Sequence, residues 1–195
     1  MLRYEIEVKN REGEVIKRIS GESKSLLKNF MIGLWAALYS FLTKKGTNII
    51  DRDGVSHTFP YVSSTYPKHM VVTAPANNDD YGILVGTGET EVSPDDTDLA
   101  SPISHGTGAG QLSYGTTTCE EPTVSDSVVS FRILRSFTNN SGASVTVKEI
   151  GIAFLHGHAD DGDIYVLMAR DVLSSPTTIP DGASLTVRYT LSITV

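Results

Sequence analysis

The amino-acid sequence predicts a mainly β protein: an antiparallel, jelly-roll-like β-sandwich with an N-terminal β-hairpin and one long amphipathic α-helix. Three observations predict it. Apolar and polar residues alternate with a period of two over several segments, the pattern of half-buried strands. Turn-forming clusters punctuate those segments, among them Asn139-Asn140-Ser141-Gly142, Asp160-Asp161-Gly162-Asp163 and Pro180-Asp181-Gly182. Only one stretch carries the three-and-four spacing of a helix, and no strand–helix alternation of a nucleotide-binding α/β sheet follows it.

The first element is the hairpin. Leu2, Tyr4, Ile6 and Val8 share one face of an extended segment, Asn10 to Gly13 form a turn, and Glu14 to Ser20 return as a second strand. A helix is predicted from Ser25 to Lys44. Ser23 or Ser25 can cap it, and Lys44, Lys45 and Gly46 suit its end. Its apolar residues include Leu27, Phe30, Leu34, Trp35 and Leu38, and this face is expected to pack on protein, with Trp35 buried. Asp51 to Gly54 read as a turn; Met70 to Thr73 and Ile83 to Val85 read as short buried strands.

Residues 86–110 are rich in Gly, Thr, Ser, Pro and Asp and read as a long surface loop. Five strands are predicted after it: Gln111 to Thr118, Val128 to Phe137, Ser144 to Phe154, Ile164 to Arg170 and Ser184 to Val195. The reading is a single domain over 1–195, with hairpin and helix in 1–46 and the sandwich in 47–195. A chain of 195 residues is long enough to bury its own core.

The net charge of -7 and pI near 5.1, with no Lys/Arg-rich stripe, argue against direct nucleic-acid binding. The lone Cys119 excludes an intrachain disulfide. No signal peptide is read at the N-terminus, and the apolar stretch from Leu26 to Leu42 is short for a bilayer and broken by polar residues. A soluble, cytoplasmically made protein without membrane contact is expected.

The candidate sites are few. His156-Gly157-His158 followed by Asp160, Asp161 and Asp163 offers nitrogen and oxygen ligands on one short segment. Turn chemistry accounts for the same residues, so no bound metal and no cofactor is expected there. Glu89, Glu91, Asp95, Asp96 and Asp98 form an acidic cluster read as a solvated loop surface for subunit contacts. Gly86-Thr87-Gly88 lacks the rest of any phosphate-binding fingerprint, and the acidic residues after it would repel phosphate. No nucleophile elbow occurs, and no enzymatic activity is expected.

The order of segments resembles a group of tailed-phage and archaeal-virus virion proteins. The resemblance runs from the hairpin and Lys24 to Phe30 through Asp51 to Gly54, Gly82 to Gly88, Leu99 to Ile103 and Gln111 to Tyr114. It continues through Phe137 to Gly142, Val147 to Ile152, Leu167 to Val172, Pro180 to Gly182 and Leu185 to Tyr189. It implies a virion structural protein that assembles with copies of itself and other virion proteins, on the capsid surface or in the tail. The alternative is a receptor- or carbohydrate-binding module of a tail tip or fibre, marked by exposed tyrosines among Tyr61, Tyr66, Tyr81 and Tyr114. A polysaccharide hydrolase would need two carboxylates facing one cleft. Within the assembly reading, loop 86–110 is expected to be ordered only by neighbours, and deletion of 89–98 to spare the fold.

Overall fold

The computed structural model describes residues 1–23, 25–39, 47–59, 68–158 and 160–194, with side chains for all of these except 36–39. Twelve strands and one helix follow one another: β1 (Leu2–Lys9), β2 (Val15–Ser23), α1 (Lys28–Tyr39), β3 (Thr47–Ile50), β4 (Ser56–Phe59), β5 (Gly82–Gly86), β6 (Ser113–Tyr114), β7 (Thr118–Cys119), β8 (Thr123–Ser125), β9 (Val128–Thr138), β10 (Val145–His158), β11 (Gly162–Ile179) and β12 (Ser184–Thr194).

All pairings between strands are antiparallel. The larger sheet runs β2-β1-β12-β9-β6, with β7 and β8 also on β9; a second runs β11-β10-β5; β3 and β4 form a separate hairpin. The two main sheets share one apolar core, as in a β-sandwich. Sheets of seven and three strands are not the paired four-stranded sheets of a jelly roll, so that finer expectation is not met.

The hairpin forms as its alternation requires. Leu2, Tyr4, Ile6 and Val8 are buried, and Glu5 and Arg3 between them are exposed. β12 lies between β1 and β9, so an apolar strand near the C-terminus is paired on both sides. β5 and the second half of β10 are buried throughout, because sheet faces both carry cover. On one side is the larger sheet, where the Tyr189 hydroxyl donates to Asp171 of β11 at 3.0 Å. On the other side lie α1, β3–β4 and part of the 86–110 loop, with Phe59 against Phe154 and Leu99 over Gly151.

Two of the predicted turns join strands of the sandwich from one sheet to the other. Residues 139–144 carry the chain from β9 in one sheet to β10 in the other, and residues 180–183 carry it back from β11 to β12. They are corners between sheets, and they lock together. The Gly182 amide donates to the Asn139 carbonyl at 2.7 Å, and the Gly142 amide to Asp181 Oδ1 at 2.9 Å. Gly142 and Gly182 both have φ near +80°, where a β-branched residue is strained.

The helix is the main correction. It spans Lys28–Tyr39, three turns rather than Ser25 to Lys44, and the expected end at residues 40–46 lies outside the described residues. It is not a long amphipathic rod. Leu27 just before it is buried, but Met31, Leu34 and Trp35 are 59, 42 and 41% exposed, so the burial expected for Trp35 is not found in the single chain. Met70 to Thr73 is no regular strand either: Val71 makes one isolated bridge to Leu155 and prolongs the edge begun by β5.

One cation organises the segment before β5. Arg135 of β9 is fully buried and has no carboxylate partner among the described residues. Its guanidinium donates to the carbonyls of Pro75, Asn78, Tyr81, Ile83 and Gly115 and stacks 4.7 Å over the Tyr114 ring. Burial pushes its pKa down to about 10, which still leaves it charged at neutral pH.

Candidate functional site

Three places in the molecule bring together the residues singled out in the sequence. The first is loop 86–110. Glu149 of β10 and Arg170 of β11 are both at most 1% exposed, and Arg170 Nε donates to Glu149 Oε2 at 2.8 Å. The loop wraps this pair. The amides of Gly88 and Ser101 donate to Glu149 Oε1 at 3.0 and 2.8 Å, and that of Ala100 to Oε2 at 3.1 Å. Arg170 in turn reaches Asp96 Oδ2 at 2.8 Å and the Thr90 carbonyl and hydroxyl at 3.0 Å. The loop is therefore tied to its own chain by buried charge. Deleting 89–98 would strip Thr90 and Asp96 from a buried cation.

The acidic cluster is dispersed by the same logic. Asp95 pairs with Lys28, Asp98 with Arg52, and Glu89 with Lys148. Arg52 also donates to the carbonyls of Asp79 and Asp80, beside a polar cleft that Asp98, Tyr114 and Tyr165 help line. Asp79 accepts from the His105 amide and Asp80 from Asn78, so these carboxylates serve the fold. Tyr81 and Tyr114 are buried, Tyr81 stacking on Tyr165, while Tyr61 and Tyr66 lie outside the described residues. Cys119 is exposed, and partial burial with Glu120 beside it raises its pKa, the opposite of an activated thiol.

The second place is a histidine–aspartate cluster where the β10–β11 turn meets β3–β4. His57 of β4 stands between two carboxylates: Nδ1 is 2.7 Å from Asp161 Oδ2, and Nε2 is 2.8 Å from Asp51 Oδ2. Asp51 is set by its own turn, accepting the amides of Asp53 and Val55 on Oδ1. Burial pulls the His57 pKa down, but the hydrogen bonds to Asp161 and Asp51 outweigh it and leave the pKa raised. Asp161 is lowered in turn, chiefly by His57. His158 donates Nε2–H to the Thr58 carbonyl at 3.0 Å, and its Nδ1 lies 3.0 Å from Asp161 Oδ2.

Of the segment predicted as ligands, then, His158 and Asp161 converge. His156 does not join them: it packs against Phe59 and His69, is 1% exposed, and neither ring nitrogen has a hydrogen-bond partner among the described residues. Burial pushes its pKa down to about 4. Asp163 pairs with Lys68, and the Asp160 amide faces His158 Nδ1. The residues missed in the sequence are His57 and Asp51. His57 is 104 positions from Asp161, and no local motif links them.

The third place is an apolar groove of about 330 Å³ whose lining includes Leu26, Pro122, Val129, Phe131, Leu191 and Ile193. Leu26, which lines it, is 40% exposed and precedes α1 by two positions in the chain.

No protein-family model matches the chain, and no curated protein or solved structure matches it either. Among the described residues no helix is long and apolar enough to cross a membrane.

Proposed function

We propose that this chain is a structural subunit of a virus particle, built to associate with copies of itself on the capsid surface or in the tail. One observation carries the reading. The interior is closed by buried ion pairs and corner hydrogen bonds, yet the chain carries an apolar groove lined by Leu26, Phe131, Leu191 and Ile193, and exposed apolar side chains on α1 at Met31, Leu34 and Trp35. Exposed apolar groups of this kind mark an association site.

The occupant we assign is a second copy. The same chain offers both a recessed apolar groove and exposed apolar side chains on α1, the two halves that a repeating contact between copies can use. The acidic residues 89–98 are less suited to this contact than the sequence implied, since four of the five pair within the chain. The virion assignment itself is supported by the order of segments described above.

Light scattering and sedimentation over a wide concentration range test the association. A self-assembling wild type, weakened by Leu34→Asp and by Ile193→Asp with far-ultraviolet circular dichroism unchanged, is the expected result. A monomer at every concentration overturns the reading, and a map of the particle tests where the subunit sits.

A further inference from the structure

We infer that His57, His158 and Asp161 form a binding site for a divalent transition-metal ion of the zinc type, which staples the β3–β4 hairpin to the tip of β10–β11. Four arguments support it, each from geometry.

The donors converge. One ligand atom each from His57, His158 and Asp161 lies within 4.8 Å of the other two, and the Nδ1 atoms of both rings are the ones that approach Asp161 Oδ2. Zinc bonds to nitrogen and oxygen of about 2.0–2.2 Å imply ligand–ligand separations of roughly 3.3 Å in a tetrahedron. The two separations to Asp161, 2.7 and 3.0 Å, need to open by about 0.6 and 0.3 Å to reach that value.

The outer partners are those a metal-bound histidine requires. Each ring turns one nitrogen to the shared centre and has the other held from behind: His57 Nε2 by the Asp51 carboxylate, His158 Nε2 by the Thr58 carbonyl. Such partners fix the tautomer and the ring plane of histidine ligands. Asp51 is itself anchored by two backbone amides, so this support is rigid.

The charges call for a cation. With Nε2–H given to Thr58, His158 Nδ1 is an acceptor, as the Asp160 and Asp161 amides 3.3 and 3.2 Å from it also require. It faces a second acceptor, Asp161 Oδ2, at 3.0 Å. Two lone pairs opposed at that distance repel, and either a proton or a metal ion between them converts the contact to an attraction.

The site also has a place in the fold. A two-stranded hairpin is marginal by itself, and β3–β4 belongs to neither main sheet. Two histidines and a carboxylate leave a fourth position for water or for a ligand from another molecule. Asp161 is half exposed, so an ion can enter from solvent.

The full chain, stripped with a chelator and dialysed, is titrated calorimetrically with zinc chloride, and retained metal is measured by mass spectrometry. One zinc per chain is expected, with a dissociation constant of about 1 µM or tighter. Amide exchange of residues 47–59 should slow when zinc is added. Asp161→Asn and His158→Gln should each weaken binding by about 100-fold or more, while Asp163→Asn, on the same turn but paired with Lys68, should leave it unchanged. Folded wild-type protein that retains no zinc overturns the inference. Zinc bound equally well by Asp161→Asn and His158→Gln also overturns it.

Discussion

Glu149 and Arg170, neighbours across β10 and β11, meet at 2.8 Å with essentially no exposure to solvent, and the loop between residues 86 and 103 is closed over them. Two bare charges taken out of water would cost several kcal/mol each. Here every remaining lone pair and N–H of consequence is met: three loop amides on the carboxylate, and Asp96 and Thr90 on the guanidinium. The ion pair orders the loop, and the loop completes the ion pair.

Removing either partner should therefore be severe. Arg170→Met leaves a buried carboxylate, and Glu149→Gln leaves a buried guanidinium short of charge; each is expected to cost about 3–5 kcal/mol in urea unfolding. An apolar double replacement should not restore stability, because the amides of Gly88, Ala100 and Ser101 would then be orphaned. Deleting 89–98 should destabilise the fold for the same reason, and limited proteolysis would show it.

Arg135 gives a second test of buried charge. Its planar fork serves five carbonyls at once, which a lysine ammonium cannot reach from one point. Arg135→Lys is expected to cost at least about 2 kcal/mol in chemical unfolding. Proteolytic cleavage between residues 75 and 83 should rise in step.

Asp171 predicts a pH dependence. Burial raises its pKa, against the lowering effect of hydrogen bonds such as that from Tyr189. A carboxyl whose folded pKa is raised adds stability that is fully present below its unfolded pKa and is lost as pH rises through the folded value. At neutral pH the ionised group is thus a net cost. Asp171→Asn, which can still accept from the Tyr189 hydroxyl, should raise the melting temperature at pH 7 and lose that advantage in acid. Equal melting temperatures of the two proteins at pH 7 would contradict this.

Trp35 separates folding from association. At 41% exposure its truncation to alanine should cost the single chain about 1 kcal/mol or less. Leu27→Ala, at a site only 1% exposed, should cost about 2–5 kcal/mol. If the apolar surface joins copies, Trp35→Ala should weaken self-association by an amount its unfolding curve does not show. Sedimentation and urea titration of the same two variants check both statements.

What the sequence determined by itself is what side-chain direction along the backbone encodes. Alternation placed the β1–β2 hairpin and the strands β9 to β12, glycine and asparagine placed the corners at 139–144 and 180–183, and one helical spacing placed α1. These signals are local, because a strand turns successive side chains to opposite faces wherever it lies. Pairing is not local. That β12 sits between β1 and β9, that the two corners cross between sheets, and that Asp161 finds His57 are decided only when distant segments share a core. The same reason explains why the contacts of loop 86–110 are not legible in its own residues. Its Gly, Ser and Thr have little apolar area to order them, and the acceptor and cation that do, Glu149 and Arg170, stand about 60 to 80 positions further along, inside strands whose local pattern gives no hint of a buried charge pair.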